Sequence, residues 1–169
     1  MRVLIAASIL LVGCNSVTLK SNEATVGGSV SKPDGNGPFP ALVLLHGCGG
    51  PQPGNALWAA ELNKWGYVTI EIDSFVRRGV KEICTDLKRV TVSERVVDAY
   101  AALDYLQTLA PVEKDRIGVM GWSYGAMVVP SRFTPSPGKA PAGGTRNRTG
   151  RMLVPSPGLT NIWRPPSTT

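Results

Sequence analysis

Ser123 stands in Gly121-Trp122-Ser123-Tyr124-Gly125, at the end of the apolar run Ile117–Met120. Glycines two before and two after a serine permit a sharp strand-to-helix turn, because side chains there would collide across it. Such a turn lifts the hydroxyl clear of the backbone, where it can act as a nucleophile. The spacing alone is a weak signal, and its place between an expected strand and an expected helix strengthens it. A second segment, His46-Gly47-Cys48-Gly49-Gly50, suits the partner task. Its glycines let backbone N–H groups face a developing oxyanion, together with the N–H of the residue after the nucleophile. Tyr124 and Cys48 are the candidate donors, Gly49 is the alternative to Cys48, and a merely structural glycine-rich turn is the other reading. A serine hydroxyl also needs a base to take its proton. The chain has one histidine, His46, which precedes the serine, and no Asp or Glu follows Asp115.

The elements that would position these residues read as α/β. Val17–Lys20 and Thr25–Ser31 are expected strands, followed by a turn-rich stretch to Pro40. Ala41-Leu-Val-Leu-Leu-His-Gly47 is a continuous apolar run, as expected of a strand buried on both faces. Asn55 is placed to cap a helix carrying Leu57, Trp58, Leu62 and Trp65 at helical spacing and closed by Gly66; the next strand is Tyr67–Asp73. Thr91 and Glu94 form a capping box ahead of Val92, Val96, Ala99, Leu103 and Leu106 on one face, with Pro111 as the stop. Arg116–Trp122 is the following strand. Strands alternating with helices imply a parallel sheet, whose working groups gather at the carboxyl ends of its strands. Three loops then meet at one edge: the one at His46, the one at Asp73–Gly79 and the one at Ser123. In the middle loop Asp73 is expected to tie down its own turn. Arg77 and Arg78 could meet a substrate carboxylate there or simply be solvated.

Length and hydrophobic content, 169 residues and 43%, suit one domain with a core. The net charge of +6 is local: residues 1–129 balance twelve acids with twelve Lys and Arg, and the excess lies in six cations scattered over residues 130–169. Scattered among Pro, Gly, Ser and Thr, they do not make a nucleic-acid-binding arm. At the other end, Arg2 precedes ten apolar residues, Val3–Val12. As a helix these rise about 15 Å, half of the roughly 30 Å that a membrane span requires, so residues 1–14 read as a signal segment. Leu11-Val12-Gly13-Cys14 resembles the bacterial lipoprotein processing box, which implies that Cys14 is lipidated and anchors an exported chain in the cell envelope; an ordinary secretory signal is the alternative. Export places Cys48 and Cys84 in an oxidising compartment, where they are either a disulfide or two separate thiols.

Four ordered segments, Phe39–Gly50, Gly66–Cys84, Arg95–Leu106 and Asp115–Val129, together resemble the dienelactone hydrolase family of α/β-hydrolases over residues 17–129. The resemblance implies hydrolysis of small carboxylic esters or lactones through an acyl-enzyme, with no metal or organic cofactor. Where dienelactone hydrolase carries a cysteine nucleophile, this chain has Ser123. In the family the acid and the histidine follow the nucleophile, and here both are absent. The family's oxyanion-loop histidine matches His46, which implies loop support, with a substitute base as the lesser alternative.

The expected domain is therefore the N-terminal part, residues 15–129, of an α/β-hydrolase fold with a mostly parallel sheet and flanking helices. Pro130, seven residues after Ser123, is incompatible with a continuing helix. Residues 130–169 hold eight of the fourteen prolines and no acid or periodicity, the composition of a disordered tail. Such a tail is either an out-of-frame translation or a genuine flexible extension. The truncated domain would be a hydrolase with little or no activity, or else a non-catalytic envelope lipoprotein that binds a ligand.

Overall fold

A computed structural model describes residues 15–22 and 24–129. The expected signal segment with Cys14 and the expected tail from Pro130 lie outside the described residues. β1 (Asn15–Ser21) and β2 (Ala24–Ser31) form an antiparallel hairpin. β3 (Phe39–Leu45), α1 (Pro53–Lys64) and β4 (Val68–Asp73) follow, then a 3₁₀ turn at Val76–Arg78. α2 (Val92–Thr108), β5 (Val112–Gly121) and the short α3 (Tyr124–Val128) complete the described chain.

The five strands form one mixed sheet in the order β1-β2-β4-β3-β5. β2 joins β4 antiparallel, while β4, β3 and β5 run parallel, with β3 between the other two. The site rests on this parallel trio. β3 is buried along Ala41–Leu45 because both of its faces are covered, which explains its uninterrupted apolar sequence. Val43 and Leu45 join Ile70, Ile72 and Val119 against Ala99, Ala102 and Leu106 of α2. On the opposite face Leu42, Leu44 and Met120 pack with Leu62 and Trp58 of α1. β5 begins earlier than its apolar core, and its register against β3 is irregular between Phe39 and Ala41. There Pro40 supplies no N–H to a ladder.

The two helices adjust the expected faces. α1 starts at Pro53 with Gln52 as its N-cap, so Asn55 lies in the first turn rather than capping it. The Asn55 side chain accepts a hydrogen bond from the Gln52 N–H at 2.9 Å. The buried face is Asn55 and Leu62 with Trp58 half-buried, whereas Leu57 is 73% exposed, five residues from Leu62 and so well round the helix. α2 has the capping box at Thr91 and Glu94. Its buried face is rotated from the expected one: Val92 and Val96 are half-buried, and Arg95, Asp98 and Ala102 join Ala99, Leu103 and Leu106 inside.

Candidate functional site

The turn after β5 has the backbone that the two glycines were expected to permit. Ser123 has φ 50° and ψ −118°, a conformation that a non-glycine residue adopts at a cost of about 1–3 kcal/mol. Gly125 N–H donates to the Trp122 carbonyl at 2.8 Å and Ala126 N–H to the Ser123 carbonyl at 2.9 Å, which closes the turn. A side chain on Gly121 would overlap the Gly125 carbonyl, and one on Gly125 would overlap the Leu45 carbonyl and come within 2.6 Å of the His46 carbonyl oxygen. Trp122 N–H continues the pairing to the Leu45 carbonyl at 3.0 Å, which seats the turn against the end of β3. The Ser123 hydroxyl makes no capping bond to α3, so it is not engaged in holding the helix. α3 ends at Val128. Val129, which precedes Pro130, has ψ 105°, outside the helical range, as the residue before a proline should.

The loop from His46 runs beside this turn: a Cβ placed on Gly47 would be 3.5 Å from the Ser123 Cβ. His46 is fully buried and both of its ring nitrogens are engaged. Nε2 accepts the Ser74 N–H at 3.3 Å, which puts the proton on Nδ1, and Nδ1 donates to the Gly47 carbonyl at 2.7 Å. Burial, then the neighbouring Arg95 charge, lowers the imidazole from its ordinary 6.5 to about 4, so it is neutral at pH 7. Because a trans peptide sets C=O and N–H on opposite edges, fixing the Gly47 carbonyl on the ring turns the Cys48 N–H away from it. Among the described residues, no turn hydrogen bond engages the N–H of Cys48, Gly49 or Tyr124. Tyr124 opens α3, where an N–H has no partner within the helix.

The middle loop is self-contained. Asp73 Oδ1 accepts the N–H groups of Phe75 at 2.8 Å and Val76 at 3.0 Å, tying down its own turn. Arg78 makes a two-pronged pair with the buried Asp98, 2.9 Å on each oxygen, and Asp98 also accepts the Ser21 hydroxyl. Arg77 donates to Thr18 of β1 at 2.7 Å. Arg78 is thus paired with a buried carboxylate, while the exposed Arg77 reaches the outer hairpin.

Cys48 and Cys84 form a disulfide, with Cα atoms 4.9 Å apart. It joins the His46 loop to the segment before α2, and Ile83 N–H adds a bond to the Cys48 carbonyl at 2.8 Å. Under the loops lies Arg95, fully buried, whose Nη2 donates to the His46 carbonyl at 2.7 Å. Its guanidinium lies over the rings of Phe75 at 5.3 Å and Tyr124 at 5.6 Å. Sequence reasoning missed Arg95 and Asp98. The available signal was their spacing to Ala99, Ala102 and Leu106, which places two charges on an otherwise apolar face. Among the described residues no group of three or more His, Cys, Asp or Glu could hold a metal ion, and no helix is long and apolar enough to cross a membrane.

Fold and site together define an α/β protein that presents a serine at the carboxyl edge of a parallel strand trio. The sequence profile of the dienelactone hydrolase family matches residues 26–136, and the chain belongs to that family. Among solved structures, a dienelactone hydrolase from Anabaena variabilis is similar at 21% identity and a TM-score of 0.57, over 69% of this chain and 55% of that one. The 2,6-dihydroxy-pseudo-oxynicotine hydrolase is 25% identical with a TM-score of 0.55, over 68% of this chain and 31% of its own. Est1E from Butyrivibrio proteoclasticus gives 19% and 0.54, over 68% and 43%. The chain thus spans from about a third to just over half the length of these structures.

Proposed function

We propose that the chain is the nucleophile-bearing part of a carboxylic-ester or lactone hydrolase that works through an acyl-enzyme on Ser123. The observation that carries this reading is the Ser123 turn: a strained, uncapped serine that only glycines at 121 and 125 permit, beside the His46 loop. In this reading the serine Oγ attacks the carbonyl carbon, and the resulting oxyanion meets the N–H of Tyr124 and of Cys48, or Gly49 in its place. The serine proton passes through solvent to the leaving alkoxide, which departs as the alcohol or, from a lactone, stays tethered as a hydroxyl on the acyl group; water then releases the acid and restores the serine hydroxyl. His46 supports the oxyanion loop and is not the base, since its two nitrogens are engaged inside the protein. No other histidine is in the sequence and no acid follows Asp115. The 169-residue chain alone therefore retains only what binding and the oxyanion donors supply, orders of magnitude below a site with a full triad. The test is hydrolysis of p-nitrophenyl butyrate and of a simple aromatic lactone by the wild type and Ser123→Ala. Slow turnover lost in Ser123→Ala is expected; equal rates would remove the hydrolase reading from this chain.

A second reading, a non-catalytic envelope lipoprotein, is favoured by the engagement of the sole histidine. Export and membrane attachment through Cys14 belong to both readings. Palmitate incorporation that disappears in Cys14→Ala is the expected result, and labelling unaffected by that change would refute the anchor.

A further inference from the structure

Arg95 occupies a place that stability does not explain. It is a cation at a fully buried position on the core face of α2, where a guanidinium loses its water and an apolar side chain of similar volume would not. The carboxylate one turn away, Asp98, is already held by Arg78 and Ser21. Two of the Arg95 nitrogens, Nε and Nη1, are buried without a hydrogen-bond partner. What it does touch comes from three loops, and a 3.5 Å approach of Nη2 to His46 Nδ1 is among those contacts. Nη2 holds the His46 carbonyl at 2.7 Å, and the guanidinium plane lies over Phe75 and over Tyr124, the residue after Ser123. The His46 carbonyl it holds is also the one against which Gly125 packs, two residues beyond the serine. One side chain thus bears on both walls of the candidate site: the oxyanion loop through a charged hydrogen bond, and the serine turn through a ring.

We infer that Arg95 is a positioning residue of the candidate site, which sets the separation of the His46 loop from the Ser123 turn and so aligns the Cys48 and Tyr124 N–H groups with one point. The inference rests on the oxyanion roles proposed for those two groups. A local rule broken at a buried position, with its contacts converging on the site, is the pattern expected where function rather than stability selects the residue.

The test compares the wild type with Arg95→Met, Arg95→Lys and Ser123→Ala. Butylboronic acid is the probe: the serine Oγ forms a bond to trigonal boron and releases its proton to solvent. The boron becomes tetrahedral and anionic, with a hydroxyl oxygen where the oxyanion would lie. Arg95→Met is expected to melt no lower than the wild type, yet to bind the boronate about tenfold more weakly, with Arg95→Lys recovering part of the loss. Undiminished binding by Arg95→Met overturns the inference, as does a loss of folding in both Arg95 variants. If the wild type binds no better than Ser123→Ala, the Ser123 reading fails instead. The backbone amide signals then decide about Arg95. Shifts at Gly47, Cys48 and Tyr124 in Arg95→Met, reversed in Arg95→Lys and absent at Leu42–Leu44, support the positioning role, and unchanged amides overturn it.

Discussion

Ser123 holds an unfavourable backbone conformation, and its neighbours leave it no other. Replacing it with glycine removes the Cβ that makes φ 50° costly. Ser123→Gly is therefore expected to raise the unfolding free energy by about 1 kcal/mol while deleting the hydroxyl, as read by urea denaturation. A lowered midpoint would show that the turn is not strained. Gly125→Ala works in the other direction, because its methyl group meets two backbone carbonyls that cannot rotate away. A loss of about 3 kcal/mol or more is expected on the same assay, and a neutral effect would contradict the packing described. The buried His46 and the half-buried Glu71 give opposed pH dependences. His46, lowered to about 4 by burial and then by Arg95, contributes stability that is complete above pH 6.5 and lost as pH falls through 4, about 3 kcal/mol in all. Glu71, raised from 4.5 to about 7 by burial and then by the Asp73 charge, contributes stability present below pH 4.5 and lost as pH rises through 7. Glu71→Gln should accordingly gain on the wild type as pH rises from 4.5 to 7 in a series of thermal melts. Parallel curves would rule out the Glu71 contribution.

Helix α2 shows what periodicity conveys and what it hides. The Thr91–Glu94 box and the apolar spacing reveal the start and the general face, because capping and amphipathicity are local properties of the sequence. A pattern that counts only apolar residues passes over the two charges; their spacing puts them on that face, but the partners that make their burial tolerable are distant in sequence. Ser21 lies 77 residues from Asp98. In α1 the same limit appears differently: Gly66 marks the end, but the start lies with Gln52 and Pro53, and Leu57 faces solvent. The Asp98 network makes α2 a fastening point for the hairpin and the 3₁₀ turn. Asp98→Asn leaves the Arg78 guanidinium, 15% exposed, facing a neutral group. A loss of about 3 kcal/mol is expected, partly recovered in Asp98→Asn/Arg78→Met because no unpaired charge then remains. Additive losses in the double variant would show that the two residues act independently.

The meeting of three loops at one sheet edge was legible because parallel strands of one trio end on one side, and the order strand, loop, helix was plain in the sequence. The hairpin's attachment was not. That β2 pairs with β4, and antiparallel, follows from which edge the trio leaves open, a property of the assembled sheet. Composition likewise left Cys48 and Cys84 as either a bridge or two thiols, and in the fold they cross-link the His46 loop to the approach of α2. The bridge spans 36 positions and encloses α1, β4 and the 3₁₀ turn, so it limits the freedom of about a third of the described chain once unfolded. Closing a loop of that length is worth about 3–4 kcal/mol by chain entropy. Either cysteine replaced by serine removes the whole constraint. Cys48→Ser, Cys84→Ser and the double variant are therefore expected to lose nearly the same stability, and reductant should lower the wild type to their level while leaving all three unchanged. A double variant that loses the sum of the singles would mean that the two side chains stabilise the fold separately, by packing, and that the covalent link between the loops contributes little.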